Sequence, residues 1–89
     1  MRKSIFSAEA EVVRSAIVEM REKAGLTQRQ LAERIDSVRS LVARIELGER
    51  RVDLPEFHQI CRACGQDAAK LAASLMRRLD RTGRKPGKA

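Results

Sequence analysis

From Leu26 to Glu46 the chain reads L-T-Q-R-Q-L-A-E-R-I-D-S-V-R-S-L-V-A-R-I-E, a pattern of two short helices with a tight join. Thr27 is placed to cap the first of them. Gln30, three residues on, completes a T-x-x-Q capping box, in which each side chain accepts a backbone N–H of the other residue. Leu31, Ala32 and Ile35 point inward. Asp36 and Ser37 make the turn, and Ser37 is the expected N-cap of the next helix, about Val38 to Leu47, which Gly48 ends. On a wheel of ~100° per residue with Leu41 at ~0°, Ile45 and Val42 fall at ~40° and ~100°. Arg39, Ala43, Ser40 and Arg44 fall between ~160° and ~300°. A short helix with an apolar anchor on one side and arginines on the other suits insertion into a groove.

The flanking sequence predicts three more helices. Ser7 is a plausible N-cap for a first helix through about Ala24, with Ala8, Val12, Val13, Ala16, Ile17, Met20 and Ala24 at helical spacing. Gly25 supplies the left-handed residue that stops it. Asp53 caps a fourth helix, with Pro55 tolerated in its first turn; Leu54, Phe57, Ile60, Cys61 and Cys64 form its inner face, and Gly65 closes it. Asp67 caps a fifth helix from Ala68 to about Asp80, with the stripe Ala68, Leu71, Ala72, Leu75, Met76 and Leu79. No Val/Ile/Tyr/Thr-rich alternating run suggests a strand.

The organisation expected is therefore an N-terminal arm over 1–7, a helical domain over 8–80, and a basic, disordered tail over 81–89 with nothing to bury. At 89 residues with two aromatics, Phe6 and Phe57, the core must be small and aliphatic. The net charge of +7 suggests an anionic partner, but its location matters more than its size. Residues 1–7 carry +2, residues 77–89 carry +5, and residues 8–76 sum to zero. Bulk charge alone therefore identifies no binding face. No run approaches the ~20 apolar residues of a membrane span, and M-R-K-S-I-F-S has no apolar h-region of a secretory signal. The expectation is a cytoplasmic protein with its two cysteines reduced.

The central stretch resembles the Cro/phage-repressor (XRE-type) helix-turn-helix DNA-binding family. The matching residues are Leu26-Thr27-Gln28, Leu31-Ala32, then Ser40, Val42, Arg44, Ile45-Glu46 and Gly48, with Ile60-Cys61-Arg62-Ala63 and Gly65 in the fourth helix. The resemblance covers roughly residues 9–72. It implies an all-α, five-helix, lambda-repressor-like domain whose third helix lies in the major groove of double-stranded DNA. By position, Arg39, Ser40 and Arg44 would read base edges. The arginine fork matches guanine O6 and N7, and Ala43 is small enough for close approach or for a thymine methyl. The plainer role for these arginines is phosphate contact. Gln28, at the first turn of the second helix, sits where the family holds a phosphate, beside free helix amides. Arg29 would assist, and Arg50 and Arg51 beyond the third helix are further phosphate candidates. Glu46 is an acid at a helix C-terminus, where the dipole disfavours it; the resemblance supplies Arg21 as a structural partner. The sequence departs from the family twice. Asp36 stands where a turn glycine is usual, and Val38 stands where a small polar cap is usual.

Other chemistry is poorly supported. Cys61-Arg62-Ala63-Cys64 is a C-x-x-C with His58 three residues before it, but zinc needs four ligands and there is no second pair. Both cysteines flank Phe57 on the apolar face, so core packing is expected, with redox sensing the alternative. No catalytic constellation and no cofactor or metal site is expected. The function implied is a sequence-specific transcriptional regulator, a repressor, acting as a homodimer on a palindromic operator. The alternative is an antitoxin-type repressor that also binds a partner toxin through the fifth-helix stripe or through Ile5 and Phe6. Leu75, Met76 and Leu79 either lie on the first helix or form part of a dimer seam.

Overall fold

The computed structural model describes residues 7–82. Five helices follow in order: α1 Ala8–Lys23, α2 Gln28–Arg34, α3 Arg39–Glu46, α4 Leu54–Ala63 and α5 Ala68–Thr82. The described residues hold no strand. Of the arm expected over 1–7, only Ser7 is described, and it caps α1 by accepting the Ala10 amide at 3.1 Å. Of the tail expected over 81–89, Arg81 and Thr82 belong to α5, which runs on past the half-buried Leu79. The remaining residues of both segments, with Ile5 and Phe6, lie outside the described residues.

Helix starts are set by side-chain oxygens. In α2 the Thr27 amide donates to Gln30 Oε1 at 2.9 Å, and the Gln30 amide to Thr27 Oγ1 at 3.0 Å. Asp53 and Glu56 form the same box at α4, and Asp67 accepts the Lys70 amide at α5. Each such cap contributes about 1 kcal/mol over alanine. The α3 start is different. Ser37, the expected cap, instead donates its amide to Ala32 O at 2.8 Å and so belongs to the end of α2. The N-cap falls on Val38, extended at φ −115°, with no side-chain cap bond.

Helix stops share one device. At α1 the Gly25 amide bonds Glu22 O and the Leu26 amide bonds Arg21 O, with Gly25 at φ 76°. This is a Schellman ending, which needs a left-handed residue just past the cap. At α2 the same pair of bonds runs from Asp36 to Glu33 and from Ser37 to Ala32. Here Asp36 takes φ 57°, the only positive φ among the described non-glycine residues. A short polar side chain tolerates that region better than most, so the tight turn survives without glycine.

The core is mainly aliphatic, with Phe57 among it, and is drawn from all five helices. Ile17, Leu31, Val42, Ile45, Ile60 and Cys61 are essentially sealed from solvent, and Leu75 of α5 joins them. Each large aliphatic side chain so buried contributes roughly 1.5–3 kcal/mol over an exposed one. α2 packs on α3, α1 on α3 and α5, and α4 on α5 and α2. Three expectations for inner faces shift. Leu54, the first residue of α4, is 74% exposed: it shares the face of Phe57 and Cys61 but lies a turn ahead of them, beyond the buried stretch. Ala8 and Ala24 are exposed at the two ends of α1. Of the α5 stripe, Leu75 is buried and Leu79 half-buried, while Met76 is left out at 57% exposure.

Candidate nucleic-acid interface

α3 is anchored by Val42 and Ile45, both sealed, with Leu41 half-buried beside them. This arc leaves Arg39, Ser40 and Arg44 exposed on the opposite side, and Ala43 half-buried at its edge. The helix is only Arg39–Glu46, so two turns carry both the anchor and the polar face. Beside it lies the N-terminus of α2. The capping box satisfies Gln30, and helix geometry leaves the amides of Gln28 and Arg29 without intrahelical acceptors. Arg29 is exposed there, and Gln28 is half-buried.

The long side chains form a connected chain of hydrogen bonds across these elements. Arg21 of α1 donates Nε to Glu46 Oε2 at 2.6 Å and Nη2 to Glu46 Oε1 at 3.0 Å. Arg21 also reaches the Leu26 carbonyl at 2.7 Å. Gln28 Nε2 donates to Glu46 Oε1 at 2.9 Å, and Gln28 Oε1 accepts from Arg39 Nη1 at 3.0 Å. Gln28 therefore uses both ends of its amide to join a partly buried ion pair to an exposed arginine. The amide orientation this requires, with Nε2 on the carboxylate and Oε1 on the guanidinium, is the one that electrostatics demands.

Several partners escaped sequence reasoning. Arg14 of α1 donates Nη1 to the Glu46 backbone carbonyl at 2.8 Å, so α1 grips the end of α3 twice. Arg14 and Arg21 are seven residues apart and share a helix face, a spacing that could have suggested it. Glu11 orients Arg14 from the preceding turn, and that guanidinium holds the exposed Glu11 carboxyl down at about 2. Arg50, a phosphate candidate, is held in a fork by Glu56, with bonds of 2.8 Å from Nη1 and Nη2. The pair lowers the Glu56 carboxyl below its ordinary 4.5, against the opposing effect of burial. Arg51 is exposed in the same loop, and its carbonyl accepts from Arg50 at 2.9 Å. Arg34, at the end of α2, donates to the Ala63 carbonyl at 2.9 Å and ties α2 to the end of α4.

Cys61 and Cys64 are both buried and free. Burial, reinforced by Cys64, pushes the Cys61 thiol up to about 11, and burial also raises Cys64. A thiol held protonated in this way is a weak nucleophile and a poor metal ligand. His58 is exposed, and the described residues contain no cluster of three candidate metal ligands. No helix among the described residues is long and apolar enough to cross a membrane.

Comparisons with known proteins agree with this architecture. A family model described as a helix-turn-helix domain matches residues 17–74. An XRE-family like protein from Pseudomonas syringae pv. tomato str. DC3000 has a TM-score of 0.75 and 35% sequence identity, over 80% of this chain and 87% of that one. The crystal structure of the clp gene regulator ClgR from C. glutamicum has a TM-score of 0.68 over 80% of this chain and 92% of that one. At 22% identity, that second likeness is one of fold. No curated protein sequence matches the chain.

Proposed function

Because the chain belongs to the XRE-type helix-turn-helix family of DNA-binding regulators, we propose that it is a sequence-specific repressor that reads the major groove with α3. The observation that carries this reading is the division of α3 itself: Val42 and Ile45 sealed on one side, Arg39, Ser40 and Arg44 exposed on the other. Among the described residues, the exposed side is used by the Gln28 bond to Arg39 alone. In this reading Arg39 and Arg44 take guanine edges, Ser40 supplies a short donor or acceptor, and Ala43 sits close to the bases without obstructing them. Gln28, Arg29 and the free amides of the first α2 turn hold one phosphate. Arg51, with the N–H groups of Arg50 that Glu56 leaves over, holds another beyond α3.

Two-fold operators need a homodimer with half-sites about one turn, ~34 Å, apart. The proposal includes that assembly. The antitoxin alternative draws less support. The α5 stripe available to a toxin is largely spent on the fold, with Leu75 buried and only Met76 strongly exposed.

Selection of bound duplexes from a random pool at fixed salt tests the proposal. The expected result is one enriched, palindromic motif containing guanines. Arg39→Ala or Arg44→Ala should then cost about 1–3 kcal/mol and relax the preference at one position. Equal weakening on selected and random DNA would make that arginine a phosphate contact. A pool with no enriched motif would refute sequence-specific reading.

A further inference from the structure

Val38 stands out at the leading end of α3. It occupies an N-cap position, yet it makes no cap bond and is 62% exposed. The other described helices begin on Ser7, Thr27, Asp53 and Asp67, each of which accepts a backbone N–H. A valine there forgoes about 1 kcal/mol of capping and recovers little of it by burial. Its isopropyl group is therefore an apolar surface that serves neither the helix nor the core. It directly precedes Arg39 and Ser40, and its branched Cβ restricts the side chain to few rotamers. The two methyl groups are presented in a nearly fixed direction.

We propose that Val38 is a specificity-determining residue that packs on the 5-methyl group of a thymine neighbouring the guanine taken by Arg39. This rests on the reading that α3 enters the major groove. In helix-turn-helix docking the N-terminal residues of the recognition helix reach the base edges, and Val38 is immediately before the first of them. The thymine methyl is the one apolar group that the bases display in that groove. A valine matches it, and cannot hydrogen-bond a cytosine or adenine amine at the same place. The cap bond forgone in the free protein is thus exchanged for discrimination in the complex.

The test uses the full chain and the duplex that selection identifies. Each dT is replaced in turn, in both half-sites, by dU, which removes only the 5-methyl group. Wild type should lose affinity about three- to five-fold per methyl at the dT beside the Arg39 guanine, roughly ten- to twenty-five-fold with one methyl removed from each half-site. Val38→Ser, which restores a capping oxygen and should fold, should bind the dT and dU duplexes equally. A flat dU scan by wild type overturns the proposal. So does a Val38→Ser variant that keeps the wild-type dT-over-dU ratio, or an operator with no dT beside that guanine. Failure of the groove reading has a different signature: Arg39→Ala and Arg44→Ala would weaken selected and random DNA alike. A flat dU scan with those two variants still relaxing specificity removes Val38 alone.

Discussion

Replacing Glu46 by alanine withdraws a carboxylate that three donors share. Arg21 contributes bonds of 2.6 and 3.0 Å, and Gln28 one of 2.9 Å. The two charged side chains are 13% and 9% exposed, so the pair is nearly but not fully removed from water. Removing one partner of a fully buried pair costs about 3–5 kcal/mol, chiefly because the other charge is stranded. Arg21 is not wholly stranded. It keeps the Leu26 carbonyl at 2.7 Å and a marginal contact with Glu22 at 4.0 Å, together with some solvent. The cost for Glu46→Ala should therefore be about 2–3 kcal/mol. In a domain of this size each kcal/mol moves the melting temperature by about 4–8 °C, so the drop should be on the order of 10–20 °C. Arg21→Ala should cost a similar amount. The decisive measurement is the double variant, followed by thermal and urea unfolding with far-UV circular dichroism. Since either single change already breaks the pair, the loss in the double variant should be about 1.5–2.5 kcal/mol smaller than the sum of the two single losses. Additive losses, or a Glu46→Ala protein as stable as wild type, would refute the argument that this pair fastens α1 to α3. The main-chain bond from Arg14 to the Glu46 carbonyl survives the substitution, so the fold itself should persist.

Val38→Ser should raise stability by about 0.5–2 kcal/mol by supplying the missing cap, measured as a higher urea midpoint with an unchanged slope. Acid should weaken the loop after α3. The folded carboxyl of Glu56 titrates below its ordinary 4.5, so its contribution is full above that value and is lost as pH falls through the lower folded value. Stability curves from pH 6 to about pH 3 should therefore fall less steeply for Glu56→Gln, and identical slopes would count against the Arg50–Glu56 pair. Removing residues 83–89 should weaken binding to all duplexes alike and flatten the salt dependence. If about six phosphates are contacted, the log–log slope of the full chain should be near −5, and an unchanged slope after truncation would exclude the tail from the interface.

The helix pattern was legible because its signals are local. Thr27 with Gln30, Asp53, Gly25 and Gly65 each mark a boundary through atoms a few residues away. A boundary with no polar signal is not legible in this way: of Ser37 and Val38 only the serine can accept a bond, so capping chemistry points to Ser37. The structure spends the Ser37 backbone on ending α2 instead. Period gives Leu54 the face of Phe57 and Cys61 but says nothing of how far along its axis the helix stays against the core. The apolar anchor Val42–Ile45 and the exposed Arg39, Ser40 and Arg44 follow from the helical period. The bonds from Gln28 to Glu46 and Arg39, from Arg14 to Glu46, and from Arg50 to Glu56 do not. They depend on where long side chains end after five helices have packed, and no spacing rule encodes that. The Arg21–Glu46 pairing itself was suggested by family resemblance rather than by the residues alone.

The two grips of Arg14 and Arg21 on α3 both close on Glu46, its last residue. Its first turn has no side-chain cap bond and is held by the packing of Val42 and by the Arg39 to Gln28 bond. The polar grips on α3 thus sit at its rear, while the end that would meet the bases in the proposed reading is held mainly by packing. In the proposed complex, small adjustments of that tip would leave the grips of α1 intact, so the helix would follow local variation in groove width while α1 sets its angle of entry. The stiffness of the fold and the compliance of its reading edge are then separate properties, each open to change without the other.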